Sequence, residues 1–146
     1  MMKLMIDTNI VLDYLFDREP FSFHSGKVLE LCFDRDAKGI LTASAITDIF
    51  YIVKKNAGRQ KARESLMTLF TGLDIADVGR IDLLRAVEFG DTYFEDALLA
   101  VCAKRIKADF IVTRNIIDFS ASSVAPIKPE ELLSQSFPYR LADTVR

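Results

Sequence analysis

Asp7, Asp48, Asp96 and Asp118 are the residues of this chain whose type and surroundings suggest chemistry. In "LMIDTNIV" the polar triplet Asp7, Thr8 and Asn9 interrupts two apolar runs, Leu4 to Ile6 and Ile10 to Leu12. An unpaired carboxylate among apolar neighbours is costly, so it lies at an edge, pairs with a cation, or binds a metal. Asp48 in "AITDIF", Asp96 in "YFEDALL" and Asp118 in "RNIIDF" stand in similar settings. Nitrogen and sulfur ligands are scarce. The single histidine, His24, lies beside a helix start, and Cys32 and Cys102 lie in apolar helical patterns with no CxxC spacing, which reads as two buried thiols. Oxygen ligands alone select a hard cation, Mg²⁺ or Mn²⁺. Such ions activate water and neutralise phosphoryl charge, and phosphodiester hydrolysis is their natural chemistry.

Taken singly, each acid has a bland reading. Asp7 and Asp96 cap helices or complement their positive ends, Asp48 lies on a solvated face, and Asp118 belongs to a turn. Convergence is what changes this, because several anions at one edge repel one another unless a cation holds them. The elements that would bring them together alternate. "KLMI" (3–6) reads as a strand, Thr8 to Phe16 as a short helix, and Ser22 to Asp36 as a long one with Phe23, Val28, Leu31 and Cys32 on its apolar side. "GILTAS" (39–44) is a second strand, "AITDIFYIVKKNAG" a helix ended by Gly58, "RQKARESLMTLFTG" another helix, "LDIADV" a third strand and "RIDLLRAVEFG" a helix. A helix from Phe94 is apolar almost all round from Ala97 to Ala103, as in a buried central element. "DFIVT" (109–113) and "VAPIKP" are strands four and five, and "PEELLS" is a last helix.

Strands alternating with helices predict a parallel α/β sheet, whose sites form outside the carboxyl ends of the strands. Asp7 follows strand one, Asp48 follows strand two, and Asn115 and Asp118 follow strand four. The helix feeding strand four must run antiparallel to the strands, which brings its start, and Asp96, to the same edge.

Composition bounds the rest. With 146 residues, 50% hydrophobic and 27% charged, the chain suits one domain, expected over 1–134, followed by a tail, 135–146, with little pattern. The net charge of −2 marks no strongly basic nucleic-acid binder, and a carboxylate site itself contributes negative charge. No apolar run approaches the roughly 18 residues of a membrane span, and "MMKLMID" reaches an acid too soon for a signal peptide, so a cytoplasmic protein is expected.

The stretches "MKLMIDTNIVLDYL", "LTASAITDIFYIVKK", "FEDALLAVCAKRIKADFIVTRNIIDF" and "KPEELL" resemble the PIN domain family (PilT N-terminus), including its VapC-type toxins. The resemblance implies a three-layer, doubly wound parallel sheet of about five strands with helices on both faces. It also implies a Mg²⁺- or Mn²⁺-dependent endoribonuclease acting on single-stranded or structured RNA, a homodimer, and an antitoxin partner. Carried over by position, Asp7 is the strand-one acid and Asp96 the helix-start acid. Asp48 stands where many members have Glu, and Asn115 where many have Asp. Tyr93 stands where close relatives often carry a further acid. These departures leave open whether Asn115 or Asp118 completes the set, and whether one ion or two are held. Thr8, Asn9 and Thr113 look like groups that hydrogen-bond and orient the carboxylates. Arg114 beside the presumed site is a candidate phosphate contact, as are Lys54, Lys55 and Arg59 in "KKNAGRQKAR", for which a solvated helix surface is the rival reading.

Two other enzyme classes place an Asp after strand one. Haloacid dehalogenase-type phosphatases need a second Asp where Asn9 stands, and receiver domains need a paired acid beside Asp7, with Asp77 as phosphoacceptor. The non-enzymatic alternative is a catalytically weakened PIN-fold module that binds RNA or protein.

Overall fold

Short β-branched and apolar runs extend, and the longer runs with helical periodicity coil between them. In the computed structural model, which describes residues 1–89 and 93–142, the order is β1 (Lys3–Ile6), α1 (Thr8–Leu15), α2 (Ser22–Phe33), β2 (Lys38–Thr42), α3 (Ala43–Ala57), α4 (Arg59–Gly72), β3 (Leu73–Ala76), α5 (Arg80–Val87), α6 (Phe94–Arg105), β4 (Phe110–Val112), a 3-10 helix (Ile116–Phe119), β5 (Pro126–Ile127), α7 (Pro129–Ser136) and α8 (Pro138–Ala142). The five strands are all parallel in the order β3-β2-β1-β4-β5. The chain leaves β1 toward β2 and β3, then returns to lay β4 on the other side of β1. That reversal opens a crevice at the carboxyl ends of β1 and β4.

Alternation along each strand feeds two cores. Leu4, Ile6, Leu41 and Val112 join α1, α2, α3 and α7 on one face, while Met5, Ile40 and Ile111 meet α6 on the other. Every residue of α6 from Ala97 to Ala103 is buried, as an all-round apolar helix requires. Its small residues let it lie close to the sheet, and each buried Leu contributes roughly 1.5–3 kcal/mol. On the opposite face Gly39 is required by packing: a Cβ there would stand 2.5 Å from Cys32 Sγ and 2.6 Å from a Leu73 methyl. Burial pushes the Cys32 thiol up to about 12, which keeps it a packing group.

Several expected boundaries shift for local reasons. The second strand stops at Thr42, because its Oγ1 accepts the Ala45 amide at 3.1 Å and caps α3 two residues early. The long helix α2 ends at Phe33 rather than Asp36, with Arg35 in the left-handed region at φ 63. Phe23, expected on its apolar side, is 39% exposed. The helix expected through "RIDLLRAVEFG" ends at Val87, with Glu88 as its C-cap, and Gly90 lies outside the described residues.

The expected domain boundary at residue 134 falls inside α7. Phe137 is part of the core, Tyr139 Oη donates to Asp36 Oδ2 at 3.0 Å, and Arg140 Nη1 pairs with Asp34 Oδ2 at 2.6 Å. The supposed tail thus packs on the domain as far as Ala142, because aromatic and cationic side chains there find the loop after α2. Residues 143–146 lie outside the described part. No helix among the described residues is long and apolar enough to cross a membrane.

Candidate active site

Asp7 is the residue at which β1 becomes α1. Its amide donates to Val112 O at 3.0 Å, locking the β1 end to β4, while its side chain makes no capping hydrogen bond to α1. Instead Asp7 Oδ2 accepts the Thr113 hydroxyl at 2.8 Å. Burial raises the proton affinity of Asp7, and the Thr113 bond, the nearby Thr8 and Asn9 amides and the Arg114 charge offset part of that rise.

Asp96 arrives from the first turn of α6. Burial and then the charges of Asp7, Asp118 and Glu95 push its carboxyl up to about 6. Asp48, in the second turn of α3, is raised by burial and by Glu95. A cleft of about 220 Å³ joins these groups, with Asp7, Thr8, Ser44, Thr47, Asp48, Glu95 and Asp96 in its walls. Asp118, on the 3-10 helix, lies outside those walls but within the electrostatic reach of Asp96. Among the described residues, none of these acids takes part in a salt bridge.

The donor chemistry is therefore all oxygen, anionic and mutually repelling, which fits a hard divalent cation. The side chains do not yet form a closed cage: among the described residues, no three His, Cys, Asp or Glu groups stand close enough together to hold a metal. Electrostatic coupling reaches further than ligation, so both observations hold together.

The other residues singled out in the sequence divide. Thr113 touches Asp7, and Asn115 donates its amide to Thr113 Oγ1 at 3.0 Å, stabilising the turn after β4. Thr8 lines the cleft. Asn9 instead accepts Arg18 Nη1 at 3.5 Å, a weak contact directed away from the carboxylates. Lys54 lies six residues beyond Asp48 on α3, roughly 9 Å along the helix axis, with Lys55 and Arg59 further still, and none of the three lines the cleft. Arg114 is not a free phosphate contact. Its Nε and Nη2 donate to Asp13 at 2.8 and 3.1 Å, and its guanidinium stacks 3.9 Å over the Phe21 ring. His24 packs edge-on against Phe23 and belongs to a separate hollow beside Phe21.

Sequence reasoning missed Glu95 and Asp13. Glu95 precedes Asp96 and was legible only as a charge at a helix start, which is an ordinary place for an acid. Asp13 carried a stronger signal, since it follows Ile10 by three residues and so shares the buried stripe of α1. A carboxylate on such a stripe demands a cation.

Fold and site together describe an α/β protein with clustered carboxylates at the carboxyl ends of its central strands. A PIN domain family model matches residues 3–117, so the chain belongs to the PIN domain family. Solved structures share the fold across most of its length. A DNA-bound VapBC from Salmonella typhimurium superposes with a TM-score of 0.68 at 14% identity, covering 88% of this chain and 99% of that one. A toxin-antitoxin complex from Klebsiella pneumoniae gives 0.65 at 22%, covering 86% and 97%. The sarcin-ricin loop cleaving toxin VapC20 of Mycobacterium tuberculosis gives 0.65 at 13%, covering 84% and 96%. No curated protein matches the chain.

Proposed function

We propose that this protein is a Mg²⁺- or Mn²⁺-dependent endoribonuclease, the toxin of a toxin-antitoxin pair, working in the cytoplasm as a homodimer. The observation that carries the reading is the acid cluster at the β1 end, without a salt bridge among the described residues, where burial and then neighbouring carboxylates push Asp96 up to about 6. Unrelieved repulsion of this kind costs stability, and a bound cation removes the cost. Asp7, Asp96 and Asp118 would hold the ion, with Asp48 as the fourth acid. Such a cation supplies positive charge for a phosphoryl group and makes water more acidic.

The chain's own residues orient the rest. Thr113 fixes the plane of the Asp7 carboxylate through its hydroxyl. Asp48, whose proton affinity is raised by burial and then by Glu95, would take up the proton of an attacking water. The apolar floor supplied by Leu98 and Leu99 keeps bulk water from the buried side. The toxin assignment draws on the fold relatives, among them the Klebsiella pneumoniae toxin-antitoxin complex and the sarcin-ricin loop cleaving toxin VapC20. The homodimer would use the outward side of α5, where Ile81, Leu84 and Val87 are 62%, 50% and 68% exposed.

RNA cleavage by the purified protein tests this. Wild type should cut single-stranded RNA only with Mg²⁺ or Mn²⁺, and Asp7→Asn and Asp96→Asn should lose more than about 100-fold, beyond what loss of an orienting group costs. Equal trace activity in all three proteins overturns the reading. The lack of a ready-made cage among the described residues, with Asn115 and Tyr93 at positions where the family resemblance implies acids, favours as second reading a PIN-fold module that binds RNA or protein without cutting. Retained RNA binding with no cleavage at any metal concentration selects it.

A further inference from the structure

Asp13 is wholly buried on α1, six residues after Asp7. Its Oδ2 accepts Arg114 Nε at 2.8 Å and the Ser25 hydroxyl at 3.1 Å, and its Oδ1 accepts Arg114 Nη2 at 3.1 Å. The next residue back, Thr113, donates its hydroxyl to Asp7 at 2.8 Å, and Asn115 donates its amide to that same hydroxyl oxygen at 3.0 Å. Consecutive residues of one turn thus grip two acids on one helix, one at its start and one buried further along it. We infer that Asp13 and Arg114 are positioning residues: their buried, two-pronged ion pair holds the Thr113–Asn115 turn against α1 so that Thr113 stays on Asp7.

The physical case rests on geometry. A guanidinium that meets a carboxylate with two parallel N–H groups fixes both planes, which a single-point Lys contact does not. The Phe21 ring, 3.9 Å from the guanidinium carbon, closes the remaining face and leaves Arg114 little freedom to reach a substrate phosphate. A buried ion pair adds little net stability over an apolar pair of similar volume, yet breaking it is expensive. Such a pair suits a place where orientation matters, and here the oriented group is the carboxylate at the β1 end.

The functional half of this inference rests on the metal-nuclease reading, so its test carries a readout that needs no metal. Amide hydrogen exchange is compared in wild type, Arg114→Lys and the neutral pair Asp13→Asn/Arg114→Gln, with Mn²⁺ titrated as a thermal-stabilisation curve in each. In the neutral pair the Asn115 amide should exchange about tenfold faster while β1 and β2 amides keep wild-type protection, and the Mn²⁺ midpoint should rise about tenfold. Arg114→Lys, which keeps a charge opposite Asp13, should fall between, and it supplies the same comparison if the neutral pair does not fold. Unchanged exchange at Asn115, or a uniform rise across the sheet, overturns the inference. An unchanged Mn²⁺ midpoint with a raised KM for RNA also overturns it, making Arg114 a substrate contact. A wild type indifferent to Mn²⁺ rejects the metal reading alone, because exchange at Asn115 still decides whether the pair holds the turn.

Discussion

Two kinds of acidic region occur in this molecule, and they differ in what faces the carboxylates. At the β1 end burial raises the proton affinities of Asp7, Asp48 and Asp96, and neighbouring carboxylates add to it: Glu95 at Asp48, and Asp7, Asp118 and Glu95 at Asp96. Away from it, Asp82, Asp36 and Asp13 each have a cationic partner. Asp82 accepts the Gly79 amide at 2.9 Å and Arg105 Nε at 3.0 Å, and these contacts, the amide first, hold its carboxyl below the usual range. Asp36 is lowered in the same way by Arg140 and Tyr139. Asp13 is buried against Arg114. The fold therefore can place a cation beside an acid, as it does at Asp13, Asp36 and Asp82. Among the described residues the acids at the strand ends take no salt bridge although Asp7 is buried, an arrangement of the sort found where structure serves a site.

The contrast is tested most severely by removing a scaffold cation. Arg114→Met should cost about 3 kcal/mol in urea unfolding, because it removes the two-pronged partner of the fully buried Asp13 and leaves only Arg18 Nη1, 3.8 Å away, and the Ser25 hydroxyl. A loss under about 1 kcal/mol, the value of an exposed pair, breaks the distinction. Next in size is the response of the cluster to a cation. Mn²⁺ at a hundredfold excess over its dissociation constant should stabilise wild type by about 2.7 kcal/mol, and Asp96→Asn should lose most of that gain. Equal melting curves with and without Mn²⁺ count against the site.

Without metal, Asp96→Asn should stabilise the protein. An acid raised from 3.8 to about 6 on folding is penalised as the charged form, so its penalty is absent below about pH 4, grows between 4 and 6, and is complete above 6. Discounted for partial exposure, the variant should gain about 1 kcal/mol at pH 7 and nothing at pH 4. A variant less stable than wild type at pH 7 contradicts the repulsion. Asp82→Asn should move the opposite way by about 1 kcal/mol or less, losing a charged hydrogen bond at the start of α5. Its contribution has the opposite pH sign: it is present above the ordinary pKa of 3.8 and lost as pH falls through the lower folded value. Thermal melts of both variants from pH 3 to 7 should therefore cross in sense.

Legibility followed the range of the interactions. The alternation of strands and helices and the acids at their junctions are local patterns, and they suffice to bring Asp7, Asp48 and Asp96 to one edge. Phe23 misled because helical periodicity marks a stripe without saying what lies opposite it. Arg114 misled for a related reason: adjacency to the site in sequence says nothing of a partner 101 residues away on α1. The tail looked patternless because its anchors, Phe137 and Arg140, act singly on α2 and the loop after it, with no period of their own.

Residue type and spacing were enough to specify parallel strands, a buried central helix and carboxylates at the strand ends, since strand direction and helix reversal follow from chain geometry. They also excluded nitrogen and sulfur ligation. The allocation of charge was beyond their reach. Which Asp receives an Arg and which is left among other acids depends on side chains brought together from distant segments, and that pairing exists only once the chain has folded.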